Sequence, residues 1–163
     1  MDWLKKRILL LSVFDLYILP FSFFIISTFY LSYMGYINEF ILLLLAAFGS
    51  AVSVILKFIF KEPRPDTFKP THSKFGNLYS FPSSHTMLYF VFFSTWGYIL
   101  ITRNMFSPFL TFIGIFMSFF VSTFIGVSRV AIGAHSKKDV IGGYFFGILY
   151  FGILVLLDIL FLR

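Results

Sequence analysis

Residues 40–60 read FILLLLAAFGSAVSVILKFIF, an apolar run with no charged side chain before Lys57. A helix needs about 20 such residues to cross a bilayer, so this stretch is long enough by itself. The rest of the chain has the same character: 59% of its 163 residues are hydrophobic, 12% are charged and 26 are Phe. Globular domains carry about 25% charged residues, so an ordinary soluble domain is excluded. The few charges therefore serve as punctuation. Ahead of the run, Lys5, Lys6 and Arg7 precede an apolar segment broken by Asp15 and then uncharged from Leu16 to Asn38. This predicts a first helix over about residues 8–34, kinked at Pro20 and followed by a turn at Asn38 and Glu39.

Beyond the run, Lys61 to Pro82 is rich in Pro, Lys, Thr, Ser and Asn and reads as a surface loop. Ser83 or Ser84 can cap a third helix ending near Thr102, with Arg103 and Asn104 at the opposite surface. Met105 to Ser128 gives a fourth helix, with Pro108 near its start where a missing N–H is harmless. After the polar segment from Arg129 to Asp139, Val140 to Leu162 gives a fifth, in which Gly143, Gly147 and Gly152 would allow close helix approach. The expected architecture is an all-α integral membrane bundle of five transmembrane helices, forming a single domain over residues 1–163. Parity then brings Lys57–Pro82 and Arg129–Asp139 to one membrane face.

The absence of cysteine closes thiolate-nucleophile, zinc-thiolate, iron–sulfur and disulfide readings. A net charge of +6 on so apolar a chain suits anionic lipid headgroups or topology control better than nucleic acid. On the shared face, Lys57, Arg64 and Arg129 stand at the ends of apolar spans. Desolvating such cations is costly unless an anion matches them, and a phosphoryl group would do so, with arginine offering a planar fork to two of its oxygens. Positive-inside anchoring by snorkelling side chains is the plainer alternative. His85 begins the third helix in Phe81-Pro82-Ser83-Ser84-His85, and His135 precedes Asp139 by four residues. On a shared helical face, Asp139 could keep one imidazole nitrogen of His135 protonated and free the other to attack or bind; a simple polar contact at the helix start is the alternative. Metal and cofactor readings are set aside, because the three neighbouring cations oppose a fourth and bridging carboxylates are lacking, with Glu62 and Asp66 alone nearby.

Together these residues resemble the type 2 phosphatidic acid phosphatase (PAP2) superfamily. Its signatures, Lys-x6-Arg-Pro, Pro-Ser-Gly-His and Ser-Arg-x5-His-x3-Asp, are matched by KFIFKEPRP (Lys57 to Pro65), Pro82-Ser83-Ser84-His85 and SRVAIGAHSKKD (Ser128 to Asp139). The resemblance implies a PAP2-like core and a membrane lipid phosphatase that needs no metal. His135 would form a phosphohistidine, oriented by Asp139, and His85 would protonate the leaving group. Lys57, Arg64 and Arg129, with Ser83 and the backbone N–H of Ser84, would bind the phosphoryl oxygens. The usual glycine before the second-signature histidine is Ser84 here, which keeps the N–H but restricts positive φ. Family members with six spans place the first signature at the third; only two fit ahead of it here.

The implied substrates are lipid-borne phosphate monoesters or diphosphates: a polyprenyl diphosphate such as undecaprenyl diphosphate, phosphatidylglycerophosphate, phosphatidate or lipid A 1-phosphate. Short loops favour the bulky lipid A headgroup. Phosphoryl transfer to another lipid is a second enzymatic reading, and a noncatalytic protein that binds or transports anionic lipid is the reading from a different class. No nucleic-acid or obligate protein partner is expected. The resemblance points to a cell inner membrane protein with an outward, periplasmic site, whereas the placement of nearly all Lys and Arg on the signature face favours the cytoplasm. Asp15, Asp158, His72 and Trp96 receive no chemical role.

Overall fold

Backbone polar groups find no water in hydrocarbon, so an apolar chain satisfies them within helices. The computed structural model describes residues 22, 24–27, 29–64, 79–105, 107–131 and 133–162, and their regular structure is entirely helical. Helical residues 29–33 lead through a turn at Gly35 into α1 (Ile37–Ala47) and α2 (Gly49–Phe60). These two are nearly one helix, broken at Phe48, whose N–H donates to Leu44 and Leu45 carbonyls; the Tyr150 hydroxyl also donates to Leu45 O at 2.9 Å. Then follow α3 (Ser84–Thr102), α4 (Pro108–Ala131) and α5 (Lys137–Leu157), the last continuing as a π-helical turn over Asp158–Leu162.

The third helix is the axis of the bundle and packs against all the others, most extensively α4 and α5. Its buried Met87, Val91, Phe92, Trp96 and Ile99 meet Leu31, Leu42, Leu43, Ala46 and Leu154 in one core. Outside that core, Ile55, Ile59, Phe112, Phe116, Phe120, Ile141, Phe145, Ile148, Leu156 and Leu160 are all exposed. So large an apolar surface on a folded bundle requires a lipid environment.

The expected count of five spans is corrected. Among the described residues, two helices are long and apolar enough to cross a membrane, the continuous Ile37–Phe60 and Lys137–Leu162. The central helix α3 carries Thr86, Tyr89, Ser94, Thr95, Trp96, Tyr98 and Thr102, which lower its hydropathy. Some of these groups are satisfied by the helix's own backbone: Thr95 Oγ1 donates to Val91 O and Thr102 Oγ1 to Tyr98 O, both at 2.8 Å. Within α4, Phe119–Ala131 is a shorter apolar stretch among the described residues. The expected helix over 8–34, with Lys5–Arg7, Asp15 and Pro20, falls largely outside the described residues, as do Pro65, Asp66 and His72.

Helix boundaries moved where capping chemistry outweighed charge. The fourth helix starts at Pro108, behind a Ser107 Oγ that accepts from Leu110 N, and extends through Arg129. The fifth starts at Lys137 because Ser136 and Asp139 form a reciprocal capping box. Asn38 and Glu39, expected in a turn, lie inside α1: Glu39 pairs with Arg103 across the bundle and Asn38 Nδ2 donates to Leu162 O at 2.6 Å. Asp158 accepts from Tyr98 at 2.7 Å and Arg103 at 3.1 Å.

Candidate active site

Four helix ends converge at the opposite pole: the C-termini of α2 and α4 and the N-termini of α3 and α5. Two glycines permit it. A Cβ at Gly142 would collide with the Phe81 ring, and one at Gly143 would lie 2.8 Å from Ser83 O. The signature segments are thereby pressed together, with Ser83 N donating to Asp139 O at 2.9 Å. Gly147 similarly admits the Phe90 ring, whereas Gly152, expected at a close approach, faces open space.

Lys57, in the last turn of α2, is buried and donates from Nζ to Tyr79 O at 3.1 Å and Ser80 O at 3.0 Å. An ammonium has three protons, so one more can reach an anion. Past the left-handed Lys61, Arg64 Nη1 donates to Ala134 O at 3.0 Å and ties the first signature to the third. Arg129 lies in the last turn of α4, and its carbonyl accepts from Ala134 N at 3.1 Å and His135 N at 3.2 Å, curling the chain back into the site.

His135 is 2% exposed and sits just before the α5 cap, not on the helical face expected from its spacing. Its Nδ1 is 3.4 Å from Asp139 Oδ2, an ion-pair separation whose alignment falls short of a formed hydrogen bond. Burial pushes the imidazole down from its ordinary 6.5 to about 4; Asp139 opposes this, while Lys57, Arg64 and Arg129 add to it. Asp139 Oδ2 also accepts from Ser136 N at 2.7 Å.

Ser83 caps α3, its Oγ accepting from Thr86 N at 3.5 Å and Thr86 Oγ1 at 3.1 Å. Ser84 is the first residue of α3 and keeps a negative φ, since Lys61 and Asn104 are the non-glycine residues with positive φ among those described. No glycine is needed at that position. His85 follows, within the field of Arg129, His135, Lys57 and Arg64. Both its ring nitrogens are buried without a hydrogen-bond partner among the described residues. Buried polar atoms are rarely left so, and an oxygen-rich ligand in the cationic group would satisfy them.

Residues 38–159 match the family model described as the PAP2 superfamily. The chain belongs to that superfamily. Phosphatidylglycerophosphatase B of Bacillus subtilis (strain 168) is 30% identical over 112 residues, 68% of this chain and 54% of that protein; the match thus spans about half the relative's length. A solved PAP2 structure, the transmembrane phosphatidylglycerolphosphate phosphatase of Bacillus subtilis, superposes with a TM-score of 0.78 at 22% identity, covering 97% of this chain and 78% of that one. At that identity the likeness establishes the PAP2 fold. Glu62, which the sequence offered as a carboxylate near the site, forms an ion pair with Lys138 at 2.7 Å over the outside of the site. One residue of the candidate site escaped the sequence reading. Ser80, buried within that site, is 3.2 Å from Asp139 Oδ1; a serine in a polar stretch carries no signal of burial.

Proposed function

We propose that this PAP2 member is a membrane lipid phosphatase, working through a phosphohistidine at His135 and without a metal. The observation that carries this reading is the pair of buried imidazoles beside three cations, with both nitrogens of His85 unmatched. With its Nδ1–H directed at Asp139, His135 presents the Nε2 lone pair to phosphorus. A P–N bond forms as the P–O bond to the lipid breaks, and the leaving oxygen takes a proton from His85. The bound phosphate offsets the surrounding positive charge and so favours that protonated imidazole. Water then attacks phosphorus, giving its proton to His85, and inorganic phosphate leaves with His135 regenerated. Lys57, Arg64, Arg129, the Ser83 side chain and the Ser84 N–H bind the phosphoryl oxygens as their charge changes.

The substrate class we assign is a phosphate monoester on a glycerolipid, with phosphatidylglycerophosphate first. The name shared by the Bacillus subtilis relative and the solved structure supports this choice above lipid A 1-phosphate, which short loops alone had favoured. We place the site on the outer face of the cell membrane. Single cysteines introduced at Lys61 and Lys138 would test this with an impermeant thiol reagent, since the parent has none.

Detergent-solubilised protein should release inorganic phosphate from phosphatidylglycerophosphate faster than from lipid A 1-phosphate or undecaprenyl diphosphate. A chelator should leave the rate unchanged and His135→Ala should remove it. Turnover at the wild-type rate in His135→Ala would exclude this nucleophile.

A further inference from the structure

Ser80 lies outside all three signatures, just ahead of Phe81-Pro82, and is 2% exposed. Its N–H donates to Glu62 O at 2.8 Å and its carbonyl accepts from Lys57 Nζ at 3.0 Å. Its hydroxyl oxygen is 2.9 Å from Pro63 O, 3.5 Å from Glu62 O and 3.2 Å from Asp139 Oδ1. One hydroxyl proton serves one of these acceptors well, and an ionised carboxylate is the stronger.

Asp139 is therefore approached from both sides. Ser136 N–H holds Oδ2, the oxygen facing His135 Nδ1, while Ser80 meets Oδ1. The terminal torsion of an aspartate is soft, so a carboxylate bonded at one oxygen swings about it. A second bond fixes the plane of the group.

The geometry points to Ser80 as a positioning residue for phosphoryl transfer. Its hydroxyl sets the rotation of the Asp139 carboxylate, and so the orientation of the His135 ring. Its backbone carbonyl holds Lys57 in the same frame. This assignment rests on His135 being the nucleophile.

The test uses the full chain in detergent with phosphatidylglycerophosphate, comparing wild type, Ser80→Ala, Asp139→Asn, their double variant and His135→Ala. Ser80→Ala should lower kcat about ten-fold, as expected for a lost bond to a charged group, with KM within about two-fold. In the Asp139→Asn background the same change should have little further effect, because the carboxylate it acts through is gone. Ser80→Cys, close in size but a weaker donor, should lose part of the rate and carries the test if Ser80→Ala does not fold. Wild-type kcat in either serine variant, or a loss that multiplies in full with that of Asp139→Asn, overturns the proposal. If His135→Ala is inactive while Ser80→Ala runs at full rate, only the role of Ser80 fails; if His135→Ala retains the wild-type rate, the nucleophile assignment fails first.

Discussion

The two poles of the bundle bury charge in opposite ways. At the pole where α1 begins and α3 ends, Arg103 bridges Glu39 and Asp158, and Tyr98 donates to Asp158. Each of these charges has a partner inside the protein, one guanidinium serving two carboxylates. At the other pole, Lys57, Arg64 and Arg129 surround His85 and His135, and Asp139 is the buried carboxylate among the described residues. Among the described residues the cations there outnumber the carboxylates, an excess that the proposed phosphoryl group would offset. Some 28 Å of α3, at 1.5 Å per residue, separate the two. On the proposed reading, buried charge marks a binding site where its pairing is left open to a ligand, and a structural lock where its partners lie within the protein.

The largest expected effect falls on the open pole. His135→Ala and His85→Ala should each reduce kcat by about 1,000- to 10,000-fold in a phosphate-release assay, the scale seen when members of a catalytic set are removed. Their thermal midpoints in detergent should change little. Arg103→Met should do the reverse. It strands two buried carboxylates, so stability should fall by about 3 kcal/mol in denaturant titration while KM for the folded fraction is kept. If Arg103→Met instead abolished turnover in folded protein, the division of labour between the poles would be wrong.

Acid should weaken the open pole selectively. The folded imidazole of His135 has its pKa near 4 and the unfolded one near 6.5, so the unfolded chain binds more protons between these values. Its contribution to stability is full above about pH 6.5 and is lost as pH falls toward 4, amounting to about 3 kcal/mol. The kcat/KM profile should show an acid limb near pH 4, moving lower in Asp139→Asn because Asp139 is the group that raises the imidazole. Inorganic phosphate should oppose the loss of stability, because it binds the folded site and favours the protonated imidazole there. The smallest effect belongs to Ser84→Gly: with helical φ already present, activity should stay within about two-fold.

The legibility of the molecule followed the range of its interactions. Local chemistry could be read: Ser83, one of the two serines expected at the α3 cap, and Pro108 at the α4 start lie where neighbouring residues decide. The segments at Lys57–Pro82 and Arg129–Asp139 do meet, yet the parity argument used to bring them together rested on five apolar spans, which the hydroxyl-rich α3 does not support. Glu39 looked like a turn residue because its partner, Arg103, lies far along the chain in another helix. Ser80 was invisible for the same reason: its burial depends on Glu62, Pro63 and Asp139, which only the folded bundle brings to it.

The most direct test is to quench the protein rapidly in alkali during turnover of a radiolabelled lipid phosphate and map the label by peptide mass spectrometry. The account predicts phosphate on the imidazole of His135, stable in alkali and lost in acid. Label on another residue, or steady turnover with no phosphorylated histidine trapped at any quench time, would contradict it.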